Sequence, residues 1–508
     1  MQGQLSDPGG QTIAAVATAR GRSALSVIRT SGRDAVRVAD TSFRGSSKLA
    51  DVAANTATFG YVVDHDGAQI DQVVATVFRA PRSATGEDVV EISSHGGDVA
   101  SRMILDRLLA AGARLAEPGE FTQRAFLNGK IDLAQAEAVA DLIHASSSLS
   151  HRVSLTQLAG RYSEVLSGIR TELLDVAALV ELELDFSEED VEFADKERLR
   201  ELLQSARALL SQLLSSYKTG RLVRDGVRVV IGGKPNAGKS TLLNALVGFD
   251  RAIVSPTPGT TRDEIEAEAE IGGVLFRLVD TAGLRDATDS IEAEGVRRAQ
   301  RSLESADVVL YVVDGSVPPD QTESDYIEAL RESLEGLPLL VVVNKSDLIK
   351  PEQDHYAEAR TVTPRAVSSN QEESEGSVTL GSRADRVKQS VRGLDSIQST
   401  GLIRVSADRG RTDPGELSLL VAWLQEVVVG DLSSLDASPI VTNQRHQQHL
   451  RAALQSVTSA LDGLDRNASG DVLSVDLRSA LFEIGSITGE ITNEDVLGQI
   501  FSRFCIGK

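Results

Sequence analysis

Lys239 and Ser240 close the octapeptide Gly233-Lys234-Pro235-Asn236-Ala237-Gly238-Lys239-Ser240, a spacing suited to holding phosphate. Glycines at its first and sixth positions let backbone N–H groups curl around an anion, and a helix starting there adds the partial positive charge of its N-terminus. The Lys239 ammonium can reach terminal phosphates, and the Ser240 hydroxyl is a hard oxygen ligand suited to Mg²⁺. In Asp280-Thr281-Ala282-Gly283, the Asp280 carboxylate can hold the same metal through its water shell, while the Gly283 amide can sense a γ-phosphate. In Asn344-Lys345-Ser346-Asp347, the Asp347 carboxylate can accept from N1–H and the 2-amino group of guanine. Adenine presents no such pair of donors, so a site of this kind discriminates by roughly 10⁴-fold. Ser406-Ala407 is the last and shortest of these signals.

Each of these groups follows a run that can support it. Val227, Val229, Val230 and Ile231 precede the glycine loop, and Thr241-Leu242-Leu243-Asn244-Ala245-Leu246 continues it with a helical pattern. Val274 to Val279 leads into Asp280, Leu339 to Val343 into Asn344, and Leu402 to Val405 into Ser406. Apolar, β-branched runs that each end in a functional residue are the strand ends of a doubly wound α/β sheet, where such folds bind ligands. The pattern predicts a GTP-binding α/β domain of the P-loop class over about 223–428. Within it, 350–400 is rich in Ser, Glu and Arg and poor in aromatics, and reads as a partly disordered insertion.

The flanks differ in period. Residues 1–130 mix strand-like runs (Ala24 to Ile28, Val73 to Phe78, Val89 to Ile92) with a helix near Val99 to Ala111, an α+β domain. From 131 to 222, and again from 429 to 508, the apolar residues fall at threes and fours. The reading is a helical domain in two parts with the nucleotide domain inserted between them, the parts packing together. The stretch Glu181 to Glu192 carries seven carboxylates and reads as a solvated helix face and loop, since no His or Cys joins it as a metal site.

At 508 residues the chain has room for about three domains. A net charge of −22 argues against a broad, nonspecific nucleic-acid surface, though a local basic patch stays compatible with it. One cysteine excludes an intrachain disulfide framework and fits a reducing compartment. Met1 to Pro8 has neither a basic segment nor an apolar core of a secretory signal, and no run approaches about 18 apolar residues. The expectation is a cytoplasmic protein with no membrane partner.

The glycine loop with Pro235-Asn236, the following Pro258-Gly259-Thr260-Thr261-Arg262-Asp263, and the terminal Phe504-Cys505-Ile506-Gly507-Lys508 resemble the MnmE/TrmE family of tRNA-modification GTPases. The likeness covers nearly the whole chain. At the front it includes Val27-Ile28-Arg29-Thr30-Ser31-Gly32, Gly86 to Glu91 with His95-Gly96-Gly97, and Pro118-Gly119-Glu120-Phe121 through Asn128-Gly129-Lys130. Cys-x-Gly-Lys at the end is its most specific element. Departures from the family pattern lie at Ala19-Arg20-Gly21-Arg22-Ser23, at Asp408 and in the 350–400 insertion.

The resemblance implies a homodimer formed through a tetrahydrofolate-binding N-terminal domain. It also implies a flavin-dependent partner in a heterotetramer-type complex, and tRNA as substrate. The partners would place a carboxymethylaminomethyl (or aminomethyl) group on C5 of the wobble uridine. A 5-formyl or methylene folate would supply the one-carbon unit, and glycine or ammonium the nitrogen. Leu284 stands where Ras-type enzymes carry a water-orienting Gln, and leucine cannot hydrogen-bond water. The family motif maps that role onto Glu292. K⁺ would take the place of an arginine finger, with Asn236, Ser255, Thr257 and Thr260 as its ligands. Thr261 would join Ser240 on Mg²⁺, and Pro256, Pro258 and Gly259 complete the switch loop around the nucleotide. Folate would be held by Arg29, Glu91, Lys130 and Lys508. A carboxylate such as Glu91 suits the amino-pyrimidine edge of a pterin, and a base such as Lys130 suits its anionic tail. Cys505 reads as a structural thiol or as a group near the folate and substrate. The competing reading is a ribosome-assembly or signalling GTPase switch without modification chemistry, which explains neither the Cys-x-Gly-Lys end nor the folate-like front.

Overall fold

A computed structural model describes residues 10–185, 196–249, 266–280, 303, 305–318, 321–334, 336–349, 356, 401–429 and 439–508. Two compact units emerge: Met1–His144 with Ser154–Gln212 and Gln448–Lys508, and Ala145–Val153 with Leu213–Gln447.

In the first unit, strands β1 (Ile13–Val16), β2 (Leu25–Ser31), β3 (Phe43–Gly45), β4 (Thr56–Val63), β5 (Gln69–Phe78), β6 (Val89–His95) and β7 (Arg114–Leu115) form one sheet in the order β3-β4-β5-β6-β2-β1-β7. Its pairs are antiparallel except β1 with β7. Side chains alternate across the pleat. Ala14, Ile28, Val90 and Ile92 point to one core, which they share with Val36 and Val38 of α1 (Ala35–Ser42) and with Ile104 and Leu108 of α2 (Asp98–Ala110). Ala15 belongs to the other face, clustered with Phe121 of α3 (Glu120–Leu127). Arg29 and Glu91 are paired across that register.

The helices of this unit come from both ends of the sequence. They are α4 (Leu133–His144), the C-terminal part of α5 (Ser148–Leu158), α6 (Arg161–Asp185), the N-terminal half of α7 (Lys196–Asp225), most of α11 (Gln444–Asp465), α12 (Gly470–Thr488) and α13 (Glu494–Phe501). Helix α12 packs along α6, and Arg478 reaches Glu181 across the pair. Helix α13 packs on α3, and Leu497, Ile500 and Phe501 join Leu133 in a small core. The expected packing of early against late helices is therefore present.

In the second unit, strands β8 (Val227–Gly233), β9 (Glu266–Ile271), β10 (Val274–Asp280), β11 (Val308–Asp314), β12 (Leu339–Asn344) and β13 (Leu402–Arg404) lie in the order β13-β12-β11-β8-β10-β9. All pairs are parallel save the β9–β10 hairpin. The sheet is covered on both faces, which explains its continuous β-branched runs. Val229, Ile231, Leu310 and Val312 meet Leu242 and Leu246 of α8 (Lys239–Phe249) and Leu420 and Leu424 of α10 (Ser418–Val429). Val309, Tyr311, Val341 and Val343 face Ile327 and Leu330 of α9 (Gln321–Ser333). Among the described residues, no helix is long and apolar enough to cross a membrane.

Candidate functional site

The parallel register gathers the functional residues at one edge of the second sheet. Asp280 sits beside Ile231, Val312 beside Gly233, and Asp314 beside Asn344. The chain leaving β8 turns through Asn236, at φ 63°, and Gly238, at φ 92°, before α8 begins. A Cβ on Gly238 would collide with the Asn344 amide, so only glycine lets the loop approach that side chain. Ala237 is buried and Thr241 lies in the first turn of α8.

Lys239 is buried, and its Nζ donates to the carbonyls of Gly233 at 2.9 Å and Lys234 at 2.8 Å, which holds the ammonium over the loop. Ser240 Oγ donates to Asp280 Oδ2 at 2.6 Å, and the Asp280 side chain is buried. A hydroxyl and a carboxylate side by side are hard oxygen donors, the set Mg²⁺ prefers. The residues present therefore fit the metal expected there.

Asn344 ties the site together. Its Nδ2 donates to the Ala237 carbonyl at 2.9 Å, and its Oδ1 accepts from the Ala407 N–H at 2.9 Å. It thus pins the phosphate loop to the Ser406-Ala407 turn in a spot where it is itself buried. Ser406 Oγ in turn donates to Asp347 Oδ1 at 2.7 Å. These bonds bring Asp280, Asn344, Asp347, Ser406 and the glycine loop together. Lys345 adopts a left-handed backbone, φ 60°, and its Nζ pairs with Asp314 Oδ2 at 2.6 Å.

Sequence reasoning does not single out Asp314. Burial pushes its carboxyl up, but hydrogen bonds from Lys345 and Ser316 and the Lys345 charge outweigh this and hold it below the usual carboxylate range. The available signal is the apolar run Val308 to Val313, which ends in this Asp as β10 ends in Asp280. Ser255, Pro256, Thr257, Pro258, Gly259, Thr260, Thr261, Thr281, Ala282, Gly283, Leu284 and Glu292 lie outside the described residues. So do the acidic stretch beyond Asp185 and, except Tyr356, the segment 350–400.

A second cluster lies on the first unit's sheet. Arg29 Nε and Nη2 both bond Glu91 Oε1, at 2.9 and 2.8 Å, and the guanidinium lies 5.6 Å from the centre of the Phe121 ring. The Phe121 N–H donates to the Lys508 carbonyl at 3.2 Å. Pro118 bridges Ile506, and the Gly119 N–H points to the Cys505 carbonyl at 3.4 Å. The tail is thereby stitched to the start of α3, and the Cys505 thiol is free and exposed. Arg29 and Glu91 are joined directly, and Lys508 meets this cluster through its main-chain carbonyl at Phe121. Lys130 is held differently, with Nζ donating to the Pro81 carbonyl at 3.0 Å beside Gly86. A partly exposed Arg–Glu pair against an aromatic ring offers donors, an acceptor and a stacking face, a set that fits a pterin.

Residues 12–130 match the family model described as the GTP-binding protein TrmE N-terminus, and residues 133–505 match that of the MnmE helical domain. The chain is 56% identical to the tRNA modification GTPase MnmE of Salinibacter ruber, over 98% of this chain and 99% of that protein. It is 43% identical to the protein of the same name from Chlorobium chlorochromatii, over 89% and 88% of the two chains. With that of Christiangramia forsetii the identity is 42%, over 89% and 90%.

Proposed function

The chain belongs to the MnmE family of tRNA-modification GTPases, and on that premise we propose that it is a K⁺-stimulated GTP hydrolase acting in wobble-uridine modification. Its product is a 5-carboxymethylaminomethyl (or aminomethyl) uridine, made with a flavin-dependent partner by a homodimer in the cytoplasm. The observation that carries the nucleotide half is the convergence of Ser240 on Asp280, Asn344 on the phosphate loop, and Ser406 on Asp347.

In the proposed mechanism, Lys239 and the loop N–H groups bind the phosphates, and Asp347 selects guanine. Ser240, Thr261 and Asp280 would hold Mg²⁺, Asp280 through water. Asn236, Ser255, Thr257 and Thr260 would hold K⁺. The two cations would supply positive charge against the charge that builds on the phosphates during hydrolysis. Glu292 orients the attacking water in place of the missing Gln. Arg29, Glu91, Lys130 and Lys508 bind the tetrahydrofolate derivative, and Cys505 lies on the tail that reaches the same region. The proposed domains are 1–130 for folate and dimerisation, 131–222 and 429–508 for the helical domain, and 223–428 for the nucleotide.

Turnover measured in equal concentrations of KCl and NaCl tests the cation. Faster hydrolysis in KCl is expected, and an Asn236→Ala protein should lose the difference. Equal rates in both salts would remove K⁺ from the mechanism. Mass spectrometry of tRNA nucleosides from a strain lacking the gene tests the modification. Unchanged wobble nucleosides would favour the switch reading instead.

A further inference from the structure

Behind the guanine-reading loop stands a small, rigid clamp. Asp314 is the last residue of β11 and is in register with Asn344, the last residue of β12. The next residue, Gly315, donates its N–H to the Asn344 carbonyl at 2.8 Å. A Cβ on Gly315 would lie 2.8 Å from that oxygen and 2.7 Å from Ile349 Cδ1, so the approach is open only to glycine. Asp314 Oδ1 accepts from the Ser316 N–H at 3.0 Å and from the Ser316 hydroxyl at 2.6 Å, which fixes the carboxylate. Its Oδ2 takes Lys345 Nζ at 2.6 Å.

Lys345 is where the chain reverses. It sits at φ 60° and ψ 35°, a left-handed conformation that a side chain with a Cβ disfavours. The turn Ser346–Leu348 starts immediately after it and carries Asp347. Such a conformation persists only where surrounding contacts hold it. The contacts at hand are the Lys345–Asp314 pair and the bonds of the turn itself, Ser346 N–H to Val405 O at 3.1 Å and Leu348 N–H to Lys345 O at 3.0 Å. Lys345 is 31% and Asp314 22% exposed in their side chains, so the pair is only partly screened by solvent.

We propose that Asp314 is a positioning residue for base selection, holding Lys345 in its left-handed turn and thereby fixing Asp347 where it meets the base. This rests on the reading that Asp347 recognises guanine. Asp314 itself meets no part of the nucleotide and acts through Lys345. Losing the clamp should let the turn sample other conformations. Interactions that depend on the placement of Asp347 should then weaken more than those made by the phosphate loop.

Inosine triphosphate, which lacks the 2-amino group, separates these effects. With the full-length protein, Asp314→Asn should weaken GTP binding about tenfold and ITP binding less than threefold, so that the preference for GTP over ITP shrinks. The loss should appear in KM rather than kcat. Ser316→Ala, which leaves Asp314 and Lys345 in place, should move the same ratio about twofold. In a Lys345→Met background, Asp314→Asn should change neither affinity further. Equal weakening of GTP and ITP, or additive effects in the double variant, would overturn the proposal and leave Asp314 a general stabiliser. Asp347→Asn is the control on the underlying reading. If that variant gained no affinity for XTP, guanine recognition by Asp347 would fail first, and the clamp with it.

Discussion

In the nucleotide unit the working side chains stand where parallel strands end, whereas the N-terminal sheet carries Arg29 and Glu91 in mid-strand, side by side on β2 and β6. The strand-end site is built largely by backbone. Asn236, Gly238 and Lys345 take positive φ, Asn344 bonds main-chain groups on two loops, and Lys239 bonds two carbonyls. The mid-strand cluster is built by charged side chains. Beneath it Arg124, buried, bonds Glu87 and Glu120, Glu120 also binds Arg114, and Glu87 binds Ser31. A site made of loops gives each side chain a separate task, so one substitution should remove one task. A cluster of buried charges shares its partners, so one substitution should disturb several groups at once.

The largest expected effect tests that separation of tasks. Asp347→Asn should cost about 10⁴-fold in preference for GTP over XTP, because the acceptor for the 2-amino group becomes a donor. Competition binding with GTP and XTP measures it. Stability should hardly change, since the Ser406 hydroxyl still has the Asn oxygen to bond. A large drop in stability instead would mean that the strand-end site is as interdependent as the N-terminal network.

Glu292→Ala comes next. If Glu292 orients water and does nothing else, kcat should fall about 10²-fold while GTP affinity stays within a few-fold. Single-turnover hydrolysis beside equilibrium binding separates the two. Loss of affinity with kcat intact would make Glu292 structural, and Asp286, Asp289 and Glu294 would be tested in its place.

The same contrast governs how much can be read from sequence. The glycine loop, Asp280, Asn344 and Asp347 are legible because each is a short local motif behind an apolar run, and the register merely brings the ends together. Asp314 lies behind an equally good run, but its partner Lys345 is 31 residues away and no local motif joins them. Strand β9, Glu266–Ile271, alternates Glu with Ala and Ile, too weak a pattern to stand out before its hairpin with β10 is seen. In the N-terminal unit Arg29 and Glu91 are 62 residues apart, and Arg124 is 37 from Glu87. Nothing local in composition or period links such pairs, so Arg29 and Glu91 are singled out only by family likeness, and the role of Arg124 only by structure.

The smallest effect should fall on the buried network, and there the readout is stability. Glu120 is buried and accepts from Arg114 at 2.6 Å, Arg124 at 2.8 Å and the Glu117 N–H at 2.9 Å. Glu120→Gln keeps the shape but removes the charge, and Arg124 then keeps Glu87 as its charged partner beside its bond to the Gln11 carbonyl. Breaking a buried pair in this way costs about 3 kcal/mol or more, and the remaining carboxylate should reduce that to about 2 kcal/mol. Burial pushes the Glu120 carboxyl up from its ordinary value near 4.5, but the bonds from Arg114, Glu117 and Arg124 prevail and hold it lower. A group with a depressed folded-state value stabilises the fold above its unfolded value and loses that contribution as pH falls through the folded one. The gap between the wild-type protein and Glu120→Gln should therefore be full at neutral pH and narrow below about pH 4.5. Amide exchange in α3 and β7 across that range measures it locally, without assuming that the whole chain unfolds in one step. GTP affinity of the folded variant should stay within about twofold at neutral pH, because Glu120 belongs to the other unit. A gap independent of pH would mean that the Gln loses packing rather than charge, and the mid-strand cluster would then rest on shape as the strand-end site does.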